Sequence, residues 1–155
     1  MVYMTRSEAD TMNFAARLAE MLMPGDTVLL NGDLGVGKSV IARGVARGLD
    51  INGPMPSPTF TIMIPYEGRE KFYHFDLYRL SDPDEYYAAG LDEFVGGDGI
   101  AMVEWPEMAE LEPRPCLDMH IFRSEEDVNA RRIVIENHGV SGFDAGKLAE
   151  WSVNA

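Results

Sequence analysis

The chain has 155 residues, of which 46% are apolar, so it is long enough for one domain with a buried core. Its single cysteine, Cys116, excludes an internal disulfide and a cysteine-based zinc site, and it suits a reducing compartment. The net charge of −13 disfavours direct contact with nucleic acid or anionic lipid, so no DNA and no membrane partner is expected.

No stretch has the apolar core of a signal peptide or a membrane span. The longest uncharged stretch, 51–66, has 16 residues and four prolines. We therefore expect a soluble, cytoplasmic protein.

Helix and strand signals alternate along the chain. Ser7 to Asp10 has the spacing of a helix cap, and apolar residues recur behind it at helical spacing. Short apolar runs behind turn residues predict buried strands. The predicted helices lie at 8–23, 39–49, from 81 and at 144–153, and the predicted strands at 27–30, 60–64, 71–77, 100–103, 117–122 and 130–136.

This order predicts an α/β fold with a central, largely parallel sheet and flanking helices. Two pairs of predicted strands are candidates for hairpins, namely 60–64 with 71–77 around a turn at 67–69, and 117–122 with 130–136. They predict antiparallel additions to that sheet. We expect a single domain over 1–155, in which roughly the last 15 residues form a terminal helix or tail.

A glycine-rich octapeptide lies between the first buried strand and the second helix. It matches the pattern G-x-x-x-x-G-K-[ST] in full, which predicts a P-loop NTPase fold. Its backbone N–H groups and the helix N-terminus would hold phosphate oxygens. Lys38 would bridge the β- and γ-phosphates, and the Ser39 hydroxyl would bind Mg²⁺. The residues expected to bind nucleotide are Gly32, Asp33, Leu34, Gly35, Val36, Gly37, Lys38, Ser39 and Val40.

Two acids lie at predicted strand ends, where a P-loop protein needs carboxylates. Glu104 follows the buried run 100–103, the place of an acid that holds Mg²⁺ or its water. Asp76 ends the run 72–76 and would orient the attacking water or the metal. The alternatives are a surface acid at Glu104 and a backbone-bonded strand-end acid at Asp76. His74 points the same way as Asp76, and we interpret it as a packed core histidine.

The loop before the strand at 60–64 ends in Ser57-Pro58-Thr59-Phe60. A hydroxyl here could sense the γ-phosphate, as switch loops do, or it could cap the next element of a rigid loop. Trp105 is either a core residue or a platform beside the site. No N/T-K-x-D element for guanine is present, so ATP is the expected nucleotide.

In this order and at these separations, GDLGVGKS, SPTF, HFDLYRL at 74–80 and VEWPE at 103–107 closely resemble the bacterial TsaE (YjeE) P-loop ATPases. The resemblance covers about 5–136. Two departures are mild, because the family usually has Ala where Val36 stands and Thr where Ser39 stands, and Ser keeps the hydroxyl.

The resemblance implies an ATPase that binds ATP or ADP with Mg²⁺. Its partner is the protein complex that makes the threonylcarbamoyl modification of adenosine in tRNA, so tRNA is contacted only indirectly. It also implies roles for individual residues: Lys38 and Ser39 as the P-loop pair, Glu104 as the Mg²⁺ acid, Asp76 as the catalytic or water-positioning acid, Thr59 as part of the switch-like loop and Arg131 as a nucleotide contact.

Two other classes of function remain open at this point. A small-molecule kinase would need an acceptor pocket and a lid with arginines, and the stretch 81–112 contains no Lys or Arg. A nucleotide-binding interaction module without hydrolysis would keep the P-loop but would not need Asp76 or Glu104.

Overall fold

The computed structural model describes residues 1–153, and the strands within this range form one seven-stranded sheet. The strands are β1 (Val2–Thr5), β2 (Thr27–Asn31), β3 (Met63–Glu67), β4 (Lys71–Asp76), β5 (Ile100–Glu104), β6 (Cys116–Arg123) and β7 (Arg131–His138). The helices are α1 (Glu8–Ala19), α2 (Lys38–Gly48) and α3 (Pro83–Ala88), with 3₁₀ helices at Leu91–Phe94, Pro106–Ala109 and Ala145–Trp151.

The strand order is β1-β7-β6-β2-β5-β4-β3. The four central strands run parallel, since β2 pairs in parallel with both β5 and β6, and β4 pairs in parallel with β5. The outer pairs, β3–β4, β6–β7 and β1–β7, are antiparallel. The predicted α/β fold, with a parallel centre, antiparallel additions and flanking helices, is therefore confirmed.

Each face of the sheet has its own apolar core, because side chains on a strand alternate between faces. On one face α1 and α2 cover residues such as Val28, Leu30 and Met102. On the other face Leu29, Phe75 and Val103 pack against Leu80 and the segments that follow it. Among residues 1–153, no helix is both long enough and apolar enough to span a bilayer.

Two element boundaries and the type of one helix differ most from the predictions. The first helix ends at Ala19, because Met21 and Leu22 make tighter bonds to carbonyls three residues back. The strand predicted at 60–64 begins only at Met63, since Ile62 has a left-handed φ of 69°. The predicted terminal helix is a 3₁₀ helix, whose N-terminus Asp144 caps.

Candidate functional site

The carboxyl ends of β2, β5 and β4 meet at one edge of the sheet. The glycine-rich loop follows β2, Glu104 is the last residue of β5, and Asp76 is the last residue of β4. The register pairs Asp76 with Glu104 and Glu104 with Leu30. Parallel pairing therefore brings the loop and both acids together, at the edge where ligands of open α/β sheets bind.

The loop has the backbone of an anion nest. Gly35 and Gly37 have φ values of 75° and 116°, in the left-handed region that glycine enters without strain. Within residues 1–153 the N–H groups of Gly35, Gly37, Lys38 and Ser39 donate no hydrogen bond. Successive free N–H groups at a helix N-terminus are suited to phosphate oxygens.

Lys38 lies in the wall of this nest, where its side chain is held from two directions. Its Nζ donates to the Gly32 carbonyl at 2.8 Å and lies 4.0 Å from the ring centre of Trp105. Burial lowers the pKa of the Lys38 ammonium, while the charges of Glu104 and Asp76 raise it. The ammonium therefore lies against an electron-rich ring and is attracted by the charges of two carboxylates.

Both strand-end acids are buried, with 7% exposure for Asp76 and 8% for Glu104. Asp76 accepts hydrogen bonds from the Tyr78 N–H at 3.0 Å and the Thr59 hydroxyl at 3.1 Å. Glu104 Oε2 lies 2.7 Å from His74 Nε2. Burying two carboxylates on paired residues costs free energy unless cations lie nearby, so this edge of the sheet favours the binding of a cation.

The loop 51–59 reaches Asp76 through a short chain of two hydroxyl groups. Ser57 Oγ lies 2.6 Å from Thr59 Oγ1, which donates to Asp76. Asp76 in turn donates its own N–H to the carbonyl of Ile62, three residues beyond the loop. The loop is therefore tied to the strand end at Asp76.

One cavity brings most of the predicted site residues together. Its lining includes Leu34, Gly35, Gly37, Lys38, Ser39, Val40, Thr59, Asp76, Glu104 and Arg131. Three predicted contacts do not line it. The Val36 side chain is buried in the core, Asp33 points to solvent, and Gly32 contributes its carbonyl to Lys38.

Arg131 contacts the loop itself. Its Nε donates to the Val36 carbonyl at 2.6 Å, and its Nη1 donates to the carbonyls of Val128 and Ala130. Arg123 makes a similar contact with the Leu34 carbonyl at 3.2 Å. The two arginines therefore bind backbone carbonyls of the glycine-rich loop. No pattern in the sequence indicated this contact for Arg123.

Trp105 and His74 have closer ties to the site than their sequence patterns indicate. Trp105 has a left-handed φ of 57°, and its ring contacts Lys38 and Tyr78 and lines the cavity. The half-buried ring also packs against the second apolar core, so Trp105 is both a core contact and a platform beside the site. His74 packs on Phe72 as predicted, but it also contacts Glu104, which the alternation of strand faces could not indicate.

The oxygen donors at this edge suit Mg²⁺. The Ser39 hydroxyl and the carboxylates of Glu104 and Asp76 line the same cavity, and all are hard oxygen ligands. None of the cavity's described lining residues is a cysteine or a histidine, so ligands typical of Zn²⁺ are absent from this lining.

A buried parallel strand, a glycine nest and a helix that opens with Lys-Ser together define a P-loop protein. The family model of the Threonylcarbamoyl adenosine biosynthesis protein TsaE matches residues 5–133. The chain belongs to this family.

Individual relatives agree with that assignment. The TsaE protein of Nostoc sp. is 36% identical over 142 residues, which are 88% of this chain and 87% of the relative. That of Bacillus subtilis is 39% identical over 125 residues, covering 79% and 78% of the two chains. The crystal structure of Bacillus subtilis YdiB matches with a TM-score of 0.77 at 32% identity, covering 97% of this chain and 92% of that one.

Proposed function

We propose that this chain binds ATP with Mg²⁺ at the cavity of the P-loop, hydrolyses it slowly alone, and supports the protein complex that makes threonylcarbamoyladenosine in tRNA. The observation that carries the proposal is the meeting of the loop with two buried acids at one edge of the sheet. The family name and the names of the relatives support the pathway.

The phosphate chain is assigned to the nest. The free N–H groups of Gly35, Gly37, Lys38 and Ser39 would bind its oxygens, and Lys38 would leave the Gly32 carbonyl to reach the β- and γ-phosphates. Ser39 and Glu104 would hold Mg²⁺, which when bound neutralises the charge on the phosphates.

Asp76 is assigned to the attacking water. Its carboxylate is fixed by Tyr78 and Thr59, so a water that donates to it would be held in one orientation. Because Thr59 belongs to the loop 51–59, a movement of that loop would change the hydrogen bonding of Asp76. This contact supports the view of the loop as a switch that responds to the γ-phosphate.

The base and ribose are assigned to a groove beside the P-loop, next to α1. Its lining includes Glu8 and Thr11 of α1, Val40 of α2, and Asn129 and Arg131 near the start of β7. Arg131 would thus lie beside the nucleotide as well as contacting the Val36 carbonyl.

Slow hydrolysis by the isolated chain follows from the state of its arginines. Among the described lining residues of the cavity, Arg131 is engaged by three backbone carbonyls and Arg43 pairs with Glu8 at 3.4 Å. An arginine supplied by a partner, or ordering of the loop 51–59, raises the rate of such enzymes by ~10³-fold or more.

Steady-state phosphate release tests this proposal. The rate is measured for the chain alone, with the purified modification complex, with tRNA alone, and with both. We expect the complex to raise the rate and tRNA alone to leave it unchanged, since the net charge is −13. Fast hydrolysis by the isolated chain that the complex does not change would contradict a partner-gated ATPase. Transfer of phosphate to an acceptor other than water would favour a kinase.

A further inference from the structure

His74 forms a buried pair with the acid at the end of β5. Its Nε2 lies 2.7 Å from Glu104 Oε2, and the two side chains are 5% and 11% exposed. The ring also stacks on Phe72, with centroids 6.3 Å apart and an interplanar angle of 12°. The imidazole is therefore held in place by packing while one nitrogen faces a carboxylate.

This contact determines where the ring carries its proton. An ionised carboxylate only accepts hydrogen bonds, so the short contact requires a hydrogen on Nε2. The other nitrogen, Nδ1, is buried and has no partner within residues 1–153. A buried nitrogen without a partner is costly, and a phenylalanine would pack on Phe72 without that cost. Core packing alone does not account for a histidine here.

We propose that His74 is a positioning residue that orients Glu104 toward Mg²⁺, an inference that rests on the proposed role of Glu104. By holding Oε2, the imidazole leaves Oε1 of Glu104, which accepts no other hydrogen bond among the described residues, for the metal or its water. His74 and Glu104 also line a second cavity together with Ser39 and Ser57. Partners of this kind fix ligand orientation and raise metal affinity.

Two substitutions separate the hydrogen bond from the packing. His74→Phe keeps an aromatic ring against Phe72 but removes the donor, whereas His74→Gln keeps an N–H donor near the position of Nε2. His120 serves as the matched control, because it forms a more exposed pair with Asp118 at 3.4 Å and lies outside the lining of the site cavity. Thermal unfolding establishes that each variant is folded.

The measurement is ADP affinity by calorimetry, once with Mg²⁺ and once with EDTA. We expect His74→Phe to bind ADP in EDTA as tightly as the wild type does. The factor by which Mg²⁺ raises the ADP affinity should be about 10-fold smaller in this variant than in the wild type. His74→Gln should recover most of that gain, and His120→Phe should match the wild type. Binding of Mn²⁺ in the presence of ADP, followed by electron paramagnetic resonance, should weaken in the same order.

Three results would overturn the positioning role. They are an unchanged Mg²⁺ gain in His74→Phe, a loss of metal-free and metal-dependent affinity by the same factor, and a failure of His74→Gln to recover. A wild-type chain that binds no nucleotide overturns the proposed function instead, and the positioning role with it.

A measurement on the wild-type chain needs no variant to fold. The chain has three histidines, so the imidazole nitrogens can be assigned individually by ¹⁵N NMR. We expect the proton of His74 on Nε2 and a change in its signals when Mg²⁺ is added to the ADP complex. A proton on Nδ1 alone would contradict the inference, because Nε2 could not then donate to Glu104.

Discussion

At the scale of single residues, the site depends on two acids that lie side by side yet have different neighbours. The Asp76 carboxylate accepts hydrogen bonds from the Tyr78 N–H and from the hydroxyl of Thr59 in the loop 51–59, whereas the Glu104 carboxylate contacts His74. Different neighbours prepare two carboxylates for different tasks. We therefore assign Asp76 to the water and Glu104 to the metal.

This division of roles predicts different defects for the two acids. Asp76→Ala should lower phosphate release by about 100-fold with little change in nucleotide affinity. Glu104→Ala should weaken Mg²⁺-dependent nucleotide binding by about 10-fold or more, the effect of losing one bond to a charged group. Calorimetry and phosphate release measure the two properties. The control is Glu67→Ala, which removes an exposed acid at the end of β3. Wild-type behaviour of both site variants would place the functional acids elsewhere.

At the scale of elements, the buried strands and the glycine-rich loop could be predicted because their signals are local. Runs such as 27–30 and 100–103 are apolar, and the loop pattern is complete within eight residues. The edge strand β1 could not be predicted, because it is short and depends on pairing with β7. The contact of His74 with Glu104 likewise depends on which strands become neighbours in the sheet. The alternation of side chains along one strand does not indicate which strand will lie beside it.

The two helices beneath the site pack so closely that two glycines of α2, Gly44 and Gly48, have no room for a side chain. A Cβ on Gly44 would lie 2.6 Å from both the Ala15 Cβ and the Met12 carbonyl of α1. Gly44→Ala should therefore destabilise the protein by about 1–3 kcal/mol in urea unfolding, although alanine favours helices. Arg47→Ala, on the exposed side of the same helix, should have little effect. A Gly44→Ala variant as stable as the wild type would contradict the close packing.

The turn between α1 and β2 contains an acid whose burial predicts a pH dependence. Asp26 is 3% exposed, and burial raises the pKa of its carboxyl group despite a hydrogen bond from the Met23 N–H that lowers it. The charged form is therefore disfavoured in the folded state, and stability falls as the pH rises from the ordinary Asp pKa through the raised one.

Asp26→Asn removes this charge and keeps an oxygen that can accept from Met23. Thermal unfolding should show the variant to be more stable than the wild type at pH 7, and the difference should vanish once the pH falls below the ordinary Asp pKa. Asp50→Asn, at an exposed position, should leave the midpoint unchanged at both pH values. A variant that is less stable than the wild type at pH 7 would show that the carboxylate is needed there.

At the scale of the whole molecule, the acidic surface and the P-loop cavity point to different partners. The net charge of −13 opposes binding of bare tRNA, while the P-loop offers the Lys38 ammonium and free N–H groups, which are suited to phosphate oxygens. The proposed partner, a protein complex that acts on tRNA, would reconcile the two, because the chain would then need to contact only protein and nucleotide.

The central claim is that the nest around Lys38 binds ATP, and calorimetry on Lys38→Ala tests it most directly. The control is Lys71→Ala, because Lys71 is an exposed lysine that pairs with Asp98 outside the cavity lining. We predict that the wild type and Lys71→Ala bind ATP with Mg²⁺ equally well. Lys38→Ala should lose at least about 10-fold in affinity and all measurable phosphate release, because a bond from a charged donor is worth about 1.5–3 kcal/mol. A folded Lys38→Ala protein that binds and hydrolyses ATP like the wild type would contradict the assignment of this loop as the nucleotide site.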